Sequence, residues 1–412
     1  MEEQELIPHL FRTEYRKIIS VLCKLFGLEH IETAEDIVSD TFLLASETWG
    51  LKGLPQNPTA WLYTVSKNKT IDFLKHNKLF TDKISVEIKK TESSIQEIEI
   101  DLSNKNINDS QLQMMFAICH PSIPTEAQIG LSLSVLCGFG AEEIADAFLT
   151  NRDATYKRLA RAKEKLRTEE KIKMELPPPS EITERLETVL TTLYLLFSEG
   201  YYSTSQNTTL RKDLCVEAMR LNLMLVENEQ TNTPPANALL SLMCFHSSRF
   251  EARTDQKGEI ILYEDQDEKL WNKELMEKGE YYLNRSSTGN KLSKYHLEAA
   301  IAYWHTNKTD TAEKWENILQ LYNKLLQHEY SPIAALNRTY ALSKANGKKE
   351  AIIEAEKLQL NDDHLYHSLL ANLYTDINNE RSLKHLQTAL ALAKTIADKN
   401  IIRKKIEQLI DN

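Results

Sequence analysis

Residues 141–167, AEEIADAFLTNRDATYKRLARAKEKLR, have the pattern of two helices joined by a tight polar turn. In the first helix Ile144, Ala145 and Phe148 recur at helical spacing, and residues 150–153 supply capping side chains. A basic second helix after a tight turn is the arrangement that places side chains in a DNA major groove. An amphipathic surface helix with a cationic face fits the same pattern equally well. The second helix has a buried stripe of Leu159, Ala162 and Leu166, and its cations are Arg152, Lys157, Arg158, Arg161, Lys163, Lys165 and Arg167.

The composition favours an all-α protein. Helix formers dominate long stretches of the 412 residues, Gly and Pro number 11 each, and the length fits two or three domains. The net charge of −10 argues against DNA binding over the whole surface. Between Asn151 and Lys173, however, Lys and Arg outnumber Asp and Glu by nine to four. A DNA-binding protein of this composition must concentrate its basic residues in patches.

The cysteines and the apolar segments indicate the compartment. The five cysteines are widely spaced and form no C-x-x-C pair, which is typical of buried thiols in a reducing compartment. The amino terminus has no apolar core of signal-peptide length, and no apolar run approaches the length of a membrane span. These features predict a cytoplasmic protein without a membrane partner.

Four segments follow one another along the chain. Residues 1–80 are predicted to form a compact helical domain. Residues 81–109 are polar and acidic with no sustained period, which is typical of a flexible linker. Residues 110–175 form a second helical block that ends in the basic helix. A Pro-Pro-Pro run at 177–179 precedes the last and largest module, residues 180–412.

The last module contains a weak repeat. Tyr303, Tyr340 and Tyr374 lie in similar helical settings at separations of 37 and 34 residues, and each is followed by a polar turn and an amphipathic helix. A period near 34 residues built from helix pairs is typical of tetratricopeptide-like stacking, which often presents a face to a partner. A helical domain with no partner is the alternative. The segment Arg249–Glu264 alternates around a turn signal at Asp255–Gly258 and predicts a small hairpin.

Other chemistry has weaker support in the sequence. His364 and His367 could share a helix face as metal ligands, but no Cys or acidic residue has matching spacing. The acidic run Glu264–Asp267 could bind a cation or act in acid–base catalysis, but a polar cap on a helix beginning near Glu268 explains it as well. No Gly-rich phosphate loop and no nucleophile elbow occur in the sequence. We therefore expect no catalytic residue, no metal and no cofactor, and we do not expect an enzyme.

Taken together, the two helical blocks resemble the extracytoplasmic-function group of bacterial sigma-70-type transcription initiation factors. AEDIVSDTFLLASETW (34–49) is similar to region 2.2 of that family, and NPTAWLYTVSKNKTIDFLK (57–75) is similar to regions 2.3 and 2.4. GAEEIADAFLTNRDATYKRLARAKEKLR (140–167) is similar to region 4.2. The remainder resembles the tetratricopeptide-like extension of one subgroup, through LLFSEGYYSTS (195–205), LCVEAMRL (214–221), EDQD (264–267) and SPIAALNRTYAL (331–342).

The resemblance implies a function and its partners. A sigma factor binds core RNA polymerase and directs transcription initiation at promoter DNA, and the C-terminal extension would regulate this activity and is a candidate site for a regulatory protein. Region 2.2 docks on the polymerase, which implies a core-binding role for Glu35, Asp36 and Asp40. Regions 2.3 and 2.4 hold the melted −10 strand, which implies −10 DNA binding by Lys67, Asn68, Lys69 and Lys75. The second helix of region 4 reads the −35 element, which implies −35 DNA binding by Arg152, Thr155, Lys157, Arg158 and Arg161.

Two features depart from the family pattern, and two other classes of function stay open. The turn before the basic helix has no glycine, and Tyr156 occupies a position that the family often fills with Val, so the resemblance assigns no individual bases to this helix. A polymerase-independent helix–turn–helix regulator with a repeat-based sensor domain would bind duplex DNA tightly without core enzyme. A purely protein-binding scaffold is the third hypothesis, and the acidic net charge supports it.

Overall fold

The structure is a computed structural model that describes residues 3–76, 103–147, 151–169, 172–202, 208–255, 261–289 and 291–411. Helices account for most of these residues, and no β-strand occurs among them. The predicted all-α class is therefore confirmed. The chain forms two compact units: the first comprises Met1–Ser205 and Thr209–Thr231, and the second comprises Gln206–Thr208 and Asn232–Asn412.

The first unit begins with three helices, α1 (Glu3–Phe26), α2 (Ile31–Lys52) and α3 (Pro58–His76). Gly27 and Gly53 follow the ends of α1 and α2 with φ angles of 97° and 82°, which glycine adopts without a steric penalty. Pro58 lies in the first turn of α3, where no amide donor is needed. The apolar faces of the three helices supply buried side chains that include Ile18, Leu22, Val38, Phe42 and Leu62.

The described chain continues with α4 (Asn104–Ile118), α5 (Thr125–Leu131), a π-helical turn (Ser132–Cys137), α6 (Ala141–Ala147) and α7 (Arg152–Thr168). The first residues of α4 fall inside the predicted linker, residues 81–109. The Ser103 hydroxyl caps this helix by accepting a hydrogen bond from the Asn106 amide at 3.2 Å, and Ile107 is buried. Residues 81–102 of the predicted linker lie outside the described residues.

Two further helices, α8 (Ile182–Tyr202) and α9 (Thr208–Glu227), belong to the first unit. The Arg185 guanidinium donates to the Phe116 carbonyl at 2.7 Å, and the Thr192 hydroxyl bonds the Gln128 side chain at 3.0 Å. The first compact unit therefore extends to Thr231, and the predicted start of the last domain at residue 180 stays a prediction.

The second unit starts with α10 (Pro234–Ser247) and α11 (Lys273–Ser286) and ends with α18 (Ile396–Asp411). Between them lie three helix pairs, and the predicted tyrosines Tyr303, Tyr340 and Tyr374 lie in the first helix of each pair. Consecutive helices contact one another along this series, so each helix buries its apolar face against its neighbours. The pairs are α12 (Lys294–Trp304) with α13 (Ala312–His328), α14 (Pro332–Ala345) with α15 (Lys348–Leu358), and α16 (His364–Tyr374) with α17 (Asn379–Leu392).

The predicted hairpin at residues 249–264 is described only at its two sides, residues 249–255 and 261–264, and its turn lies outside the described residues. The two sides form 3₁₀ turns at Phe250–Ala252 and Tyr263–Asp265. The Ile261 amide donates to the Arg253 carbonyl at 2.7 Å, so the two sides do meet. Thr254 is an isolated β-bridge residue, and the Tyr263 ring packs against His305 and Trp271, with ring centroids 5.1 and 6.1 Å apart, so the hairpin stays a prediction.

The cysteines and the helix lengths complete the description. All five cysteines are buried, and burial raises the pKa of the Cys119 thiol to about 11 and that of Cys244 to about 12. At neutral pH these two thiols are therefore protonated and poor nucleophiles.

Among the described residues, no helix combines the length and the apolar character that crossing a membrane requires.

Candidate nucleic-acid and protein interfaces

Helices α6 and α7 occupy the positions that the opening stretch of sequence predicts. The Asn151 side chain caps α7 by accepting hydrogen bonds from the amides of Asp153 and Ala154, at 2.8 and 3.4 Å. The predicted stripe of Leu159, Ala162 and Leu166 is buried, with 7 %, 5 % and 1 % of its surface exposed. Arg152 forms an ion pair with Glu142 that joins α7 to α6. Residues 148–150, which include Phe148 of the predicted stripe and Thr150 of the predicted cap, lie outside the described residues.

Six of the seven cations of α7 fall into two groups, and the seventh, Lys165, donates to the Ser122 carbonyl. Arg152, Lys157, Arg158 and Arg161 are exposed to solvent. Thr155, the fifth residue of the predicted −35 set, is only 7 % exposed, and its hydroxyl donates to the Asn151 carbonyl at 3.2 Å. Its side chain is therefore less accessible to a ligand than the four cations are. Lys163 and Arg167 form the second group, and they contact α2.

A groove of about 550 Å³ runs beside the exposed cations. One wall carries positive charge, and the opposite side is mostly apolar. Cations aligned along a groove attract phosphate groups, because their summed field is strongest in a concave surface. The basic wall is formed by Lys157, Arg158, Arg161 and Lys165, and the other side by Ile123, Pro124, Glu126 and Ala127.

The predicted core-binding carboxylates lie on α2 in two different environments. Asp36 and Asp40 are exposed and one helical turn apart. Glu35 is partly covered, and both of its carboxylate oxygens accept hydrogen bonds from the Lys163 ammonium, at 2.8 and 2.6 Å. Arg167 pairs with Glu32 on the same helix at 3.3 Å. No sequence pattern could have found these pairs, because the partners are 128 and 135 positions apart.

The predicted −10 residues lie on α3. Asn68 is exposed, whereas Lys67 and Lys69 are half-buried. Lys75 lies in the last turn of α3, and its side chain is outside the described residues. Just before α3, Leu51 and Leu54 are 87 % and 40 % exposed, which places apolar surface beside Gly53 in the loop. The family resemblance implies that the loop at residues 50–58 holds the melted −10 strand, but sequence reasoning named neither of these two leucines.

The weaker candidate sites are occupied by structural contacts. Both ring nitrogens of His367 are engaged, by the Asn361 carbonyl at 2.9 Å and by His385 at 3.0 Å. Among the described residues, no group of three or more potential ligands could hold a metal ion. In the acidic run, Glu264 accepts from the Tyr340 hydroxyl at 2.8 Å, and Asp267 caps the 3₁₀ turn Glu268–Leu270. The capping interpretation of this run is therefore confirmed at Asp267.

Comparisons with known proteins identify two regions of the chain. Residues 10–79 match the family model of Sigma-70 region 2, which covers most of α1 and all of α2 and α3. Residues 185–287 match a family of unknown function, DUF6596, which extends from α8 to just past α11. An uncharacterized protein of Rhizobium meliloti (strain 1021) is 29 % identical over 388 residues, covering 92 % of this chain and 90 % of that protein. No solved structure matches the chain.

Residues 10–79 are thus similar to Sigma-70 region 2. The chain contains a Sigma-70 region 2 domain, and this domain supports a sigma-70 family factor with a role in transcription initiation. The family implies RNA polymerase core enzyme as a partner, and it comprises initiation factors, which are not enzymes.

Proposed function

We propose that this protein is a cytoplasmic sigma factor of the extracytoplasmic-function group, in which a tetratricopeptide-like C-terminal domain regulates promoter-specific initiation. The polymerase supplies the chemistry of RNA synthesis, and this chain supplies the choice of promoter. One observation carries the proposal: the region 2 domain at residues 10–79 shares a compact unit with a capped basic helix, α7, whose exposed cations line a groove.

The core-binding surface in this proposal is α2. Asp36 and Asp40 are exposed one turn apart, so they can pair with basic polymerase side chains without rearrangement. Glu35 adds a third carboxylate once its contact with Lys163 is broken. Exposed ion pairs contribute only about 0–1 kcal/mol each, so these acids would act on association rate and specificity more than on affinity.

The promoter-binding surfaces in this proposal are α3 and α7. Lys67, Asn68, Lys69 and Lys75 would contact the melted −10 strand, and the exposed Leu51 and Leu54 offer apolar surface to an extruded base. The exposed cations of α7 would contact the −35 duplex, with Thr155 supporting the helix from its buried side. If Arg152, Lys157, Arg158 and Arg161 each neutralise one phosphate, the logarithm of the binding constant falls with the logarithm of salt concentration at a slope of about −3.6.

The proposal is tested with purified protein and purified bacterial core enzyme on a sizing column. Co-elution of the two as one complex is the expected result. Absence of a complex would reject the sigma-factor proposal. Tight binding of duplex DNA in the absence of core enzyme would favour the polymerase-independent regulator instead, and absence of both activities would favour the scaffold.

A further inference from the structure

Two buried cations in the second unit lie around one aromatic ring. The Arg249 guanidinium lies 5.4 Å and the Lys314 ammonium 5.6 Å from the centre of the Tyr263 ring. The rings of Trp271 and His305 lie 6.1 and 5.1 Å from the same centre. Arg249 and Lys314 are only 9 % and 3 % exposed, so both cations have lost most of their contact with water. We call these five residues the Tyr263 cluster.

Neither cation of the Tyr263 cluster forms an ion pair in the part of the chain that the structure describes. The Arg249 guanidinium contacts two aromatic rings there, Tyr263 and, at 6.0 Å, Trp271. The Lys314 ammonium donates to the Asn307 carbonyl at 2.5 Å and to the Tyr263 hydroxyl at 3.4 Å. Buried charges in proteins are normally paired, because taking an unpaired charge out of water is costly. The described residues therefore leave positive charge in the cluster without a counter-ion.

Two acidic side chains near the Tyr263 cluster are bonded to other groups. Asp310 accepts hydrogen bonds from the Trp315 indole and from the Lys344 ammonium, the latter at 3.1 Å. Glu264 accepts from the Tyr340 hydroxyl at 2.8 Å. These carboxylates stabilise the helix pairs of the repeat, and they do not neutralise the two cations of the cluster by direct contact.

The histidine of the cluster responds to this excess of positive charge. Burial, and after it the charges of Arg249 and Lys314, lower the pKa of His305 from 6.5 to about 3. Burial also lowers the pKa of Lys314 itself, and the attraction of Asp310 does not reverse that shift. Glu268, another acid that acts on Lys314, is exposed to solvent. The electrostatic potential at the cluster is therefore positive, which favours an anion over water.

The Tyr263 cluster also holds a neutral donor that is not used. Trp271 is 5 % exposed, and its buried indole N–H has no hydrogen-bond partner among the described residues. An unsatisfied buried donor in a native protein calls for an explanation, and an absent ion or ligand is one. The cluster lies close beneath the surface, because the Tyr263 ring is half-buried and its neighbours Leu262 and Glu264 are exposed. A ligand can therefore reach it from solvent after a small movement.

We propose that the Tyr263 cluster is a binding site for a small oxyanion, the phosphate or carboxylate group of a metabolite. The Arg249 guanidinium and the Lys314 ammonium are its charged donors, and the Trp271 indole is its neutral donor. A guanidinium can bind two oxygens of one anion at once. The bound anion would join the segment between α10 and α11 to the first helix pair, α12 and α13, and so stabilise the second unit. This site does not depend on the proposed sigma-factor function.

The test uses the full-length chain with inorganic phosphate and acetate as probes, each against chloride at equal ionic strength. Titration calorimetry measures binding, and amide hydrogen exchange along α12 and α13 measures the stability of the second unit. Arg249→Gln removes one cation, and Trp271→Phe keeps the ring but removes the indole N–H. Arg285→Gln is the matched control, because Arg285 also lies over a tyrosine ring, that of Tyr281 at 5.6 Å, but is exposed.

We expect phosphate to bind the parent chain at a single site and to increase the protection of α12 and α13, because a ligand that binds only the folded state stabilises it. Arg249→Gln should weaken this binding about tenfold and remove the added protection, and Trp271→Phe should weaken it about threefold. Arg285→Gln should behave like the parent. Binding of phosphate alone assigns the site to phosphate groups, and binding of acetate alone assigns it to carboxylates.

Two results overturn the proposal. If neither phosphate nor acetate binds the parent chain, the aromatic rings alone hold the two cations, and the cluster is structural. If the gain in protection is equal in the parent, in Arg249→Gln and in Trp271→Phe, the gain is the general effect of an excluded salt. Neither result bears on the sigma-factor function, because no polymerase takes part in the assay.

Discussion

Replacing Gly138 by Ala is expected to destabilise the first unit by about 2 to 5 kcal/mol. The residue has a φ of 82° and a ψ of 25°, a left-handed conformation that costs an L-residue about 1–2 kcal/mol. The added methyl group would also occupy the space of the Arg16 guanidinium. Displacing a buried side chain in this way adds roughly 1–3 kcal/mol, as overpacking does in other cores.

A double-mutant cycle separates the two contributions. In an Arg16→Ala background the guanidinium is gone, so Gly138→Ala should cost only the backbone term, and the coupling energy should be about 1–3 kcal/mol. Gly50→Ala is the matched control, since nothing lies within 4 Å of a Cβ at that helical position, and it should be neutral or slightly stabilising.

The assay must resolve the first unit, because a chain of two compact units does not unfold in one two-state step. Amide hydrogen exchange along α1 and the π-helical turn reports the opening of that unit directly. An equal loss of protection from Gly138→Ala in both backgrounds would show that Arg16 does not lie against Gly138, and this contact would be refuted.

Three other predictions follow from the described contacts. Arg158→Ala should weaken binding at the −35 element by about 1–3 kcal/mol if this side chain contacts a base, and Lys173→Ala is the control. A footprint of Arg158→Ala that equals the footprint of the control would remove Arg158 from the site. Burial lowers the pKa of His305 from 6.5 to about 3, so between these pH values the unfolded state binds more protons than the folded state. The free energy of unfolding of the second unit should therefore fall by up to about 1.4 kcal/mol per pH unit as the pH falls from 6.5 towards 3, measured by tryptophan fluorescence. An equal loss of stability in acid for His305→Gln would exclude this residue as the cause. A chain ending after Thr231 should keep the cooperative unfolding of the first unit. A chain ending at Pro178 should lose it, because this shorter chain lacks α8 and the Thr192–Gln128 bond. Equal cooperativity of the two chains in calorimetry would contradict the extent of the first unit.

Local chemistry made much of the fold predictable. The stripe of Leu159, Ala162 and Leu166 is buried as its helical spacing requires, and Asn151 caps α7 within the predicted capping segment. The tyrosines of the repeat fall in the first helix of each pair because the period of the sequence follows the period of the packing. In each case the signal and the structure lie within one or two turns of the same helix.

The remainder depends on contacts between distant parts of the chain. The sequence predicts that Lys163 and Glu35 are charged and solvent-facing, but only the tertiary structure brings them together across 128 positions. The same holds for α8, where Arg185 bonds the Phe116 carbonyl across 69 positions and Thr192 bonds Gln128 across 64. Tertiary packing also decides the two sides of residues 249–264, where 3₁₀ turns form at Phe250–Ala252 and Tyr263–Asp265 and the Tyr263 ring packs on His305.

Promoter-directed transcription is the most direct test of the central claim that this protein is a sigma factor. The measurement is run-off transcription and footprinting with core enzyme, the full-length protein and a library of promoter fragments. The account predicts protein-dependent transcripts from a specific subset of fragments, with protection at two elements about 25 base pairs apart. Transcripts that are independent of the protein, or protection of duplex DNA without core enzyme, would contradict it.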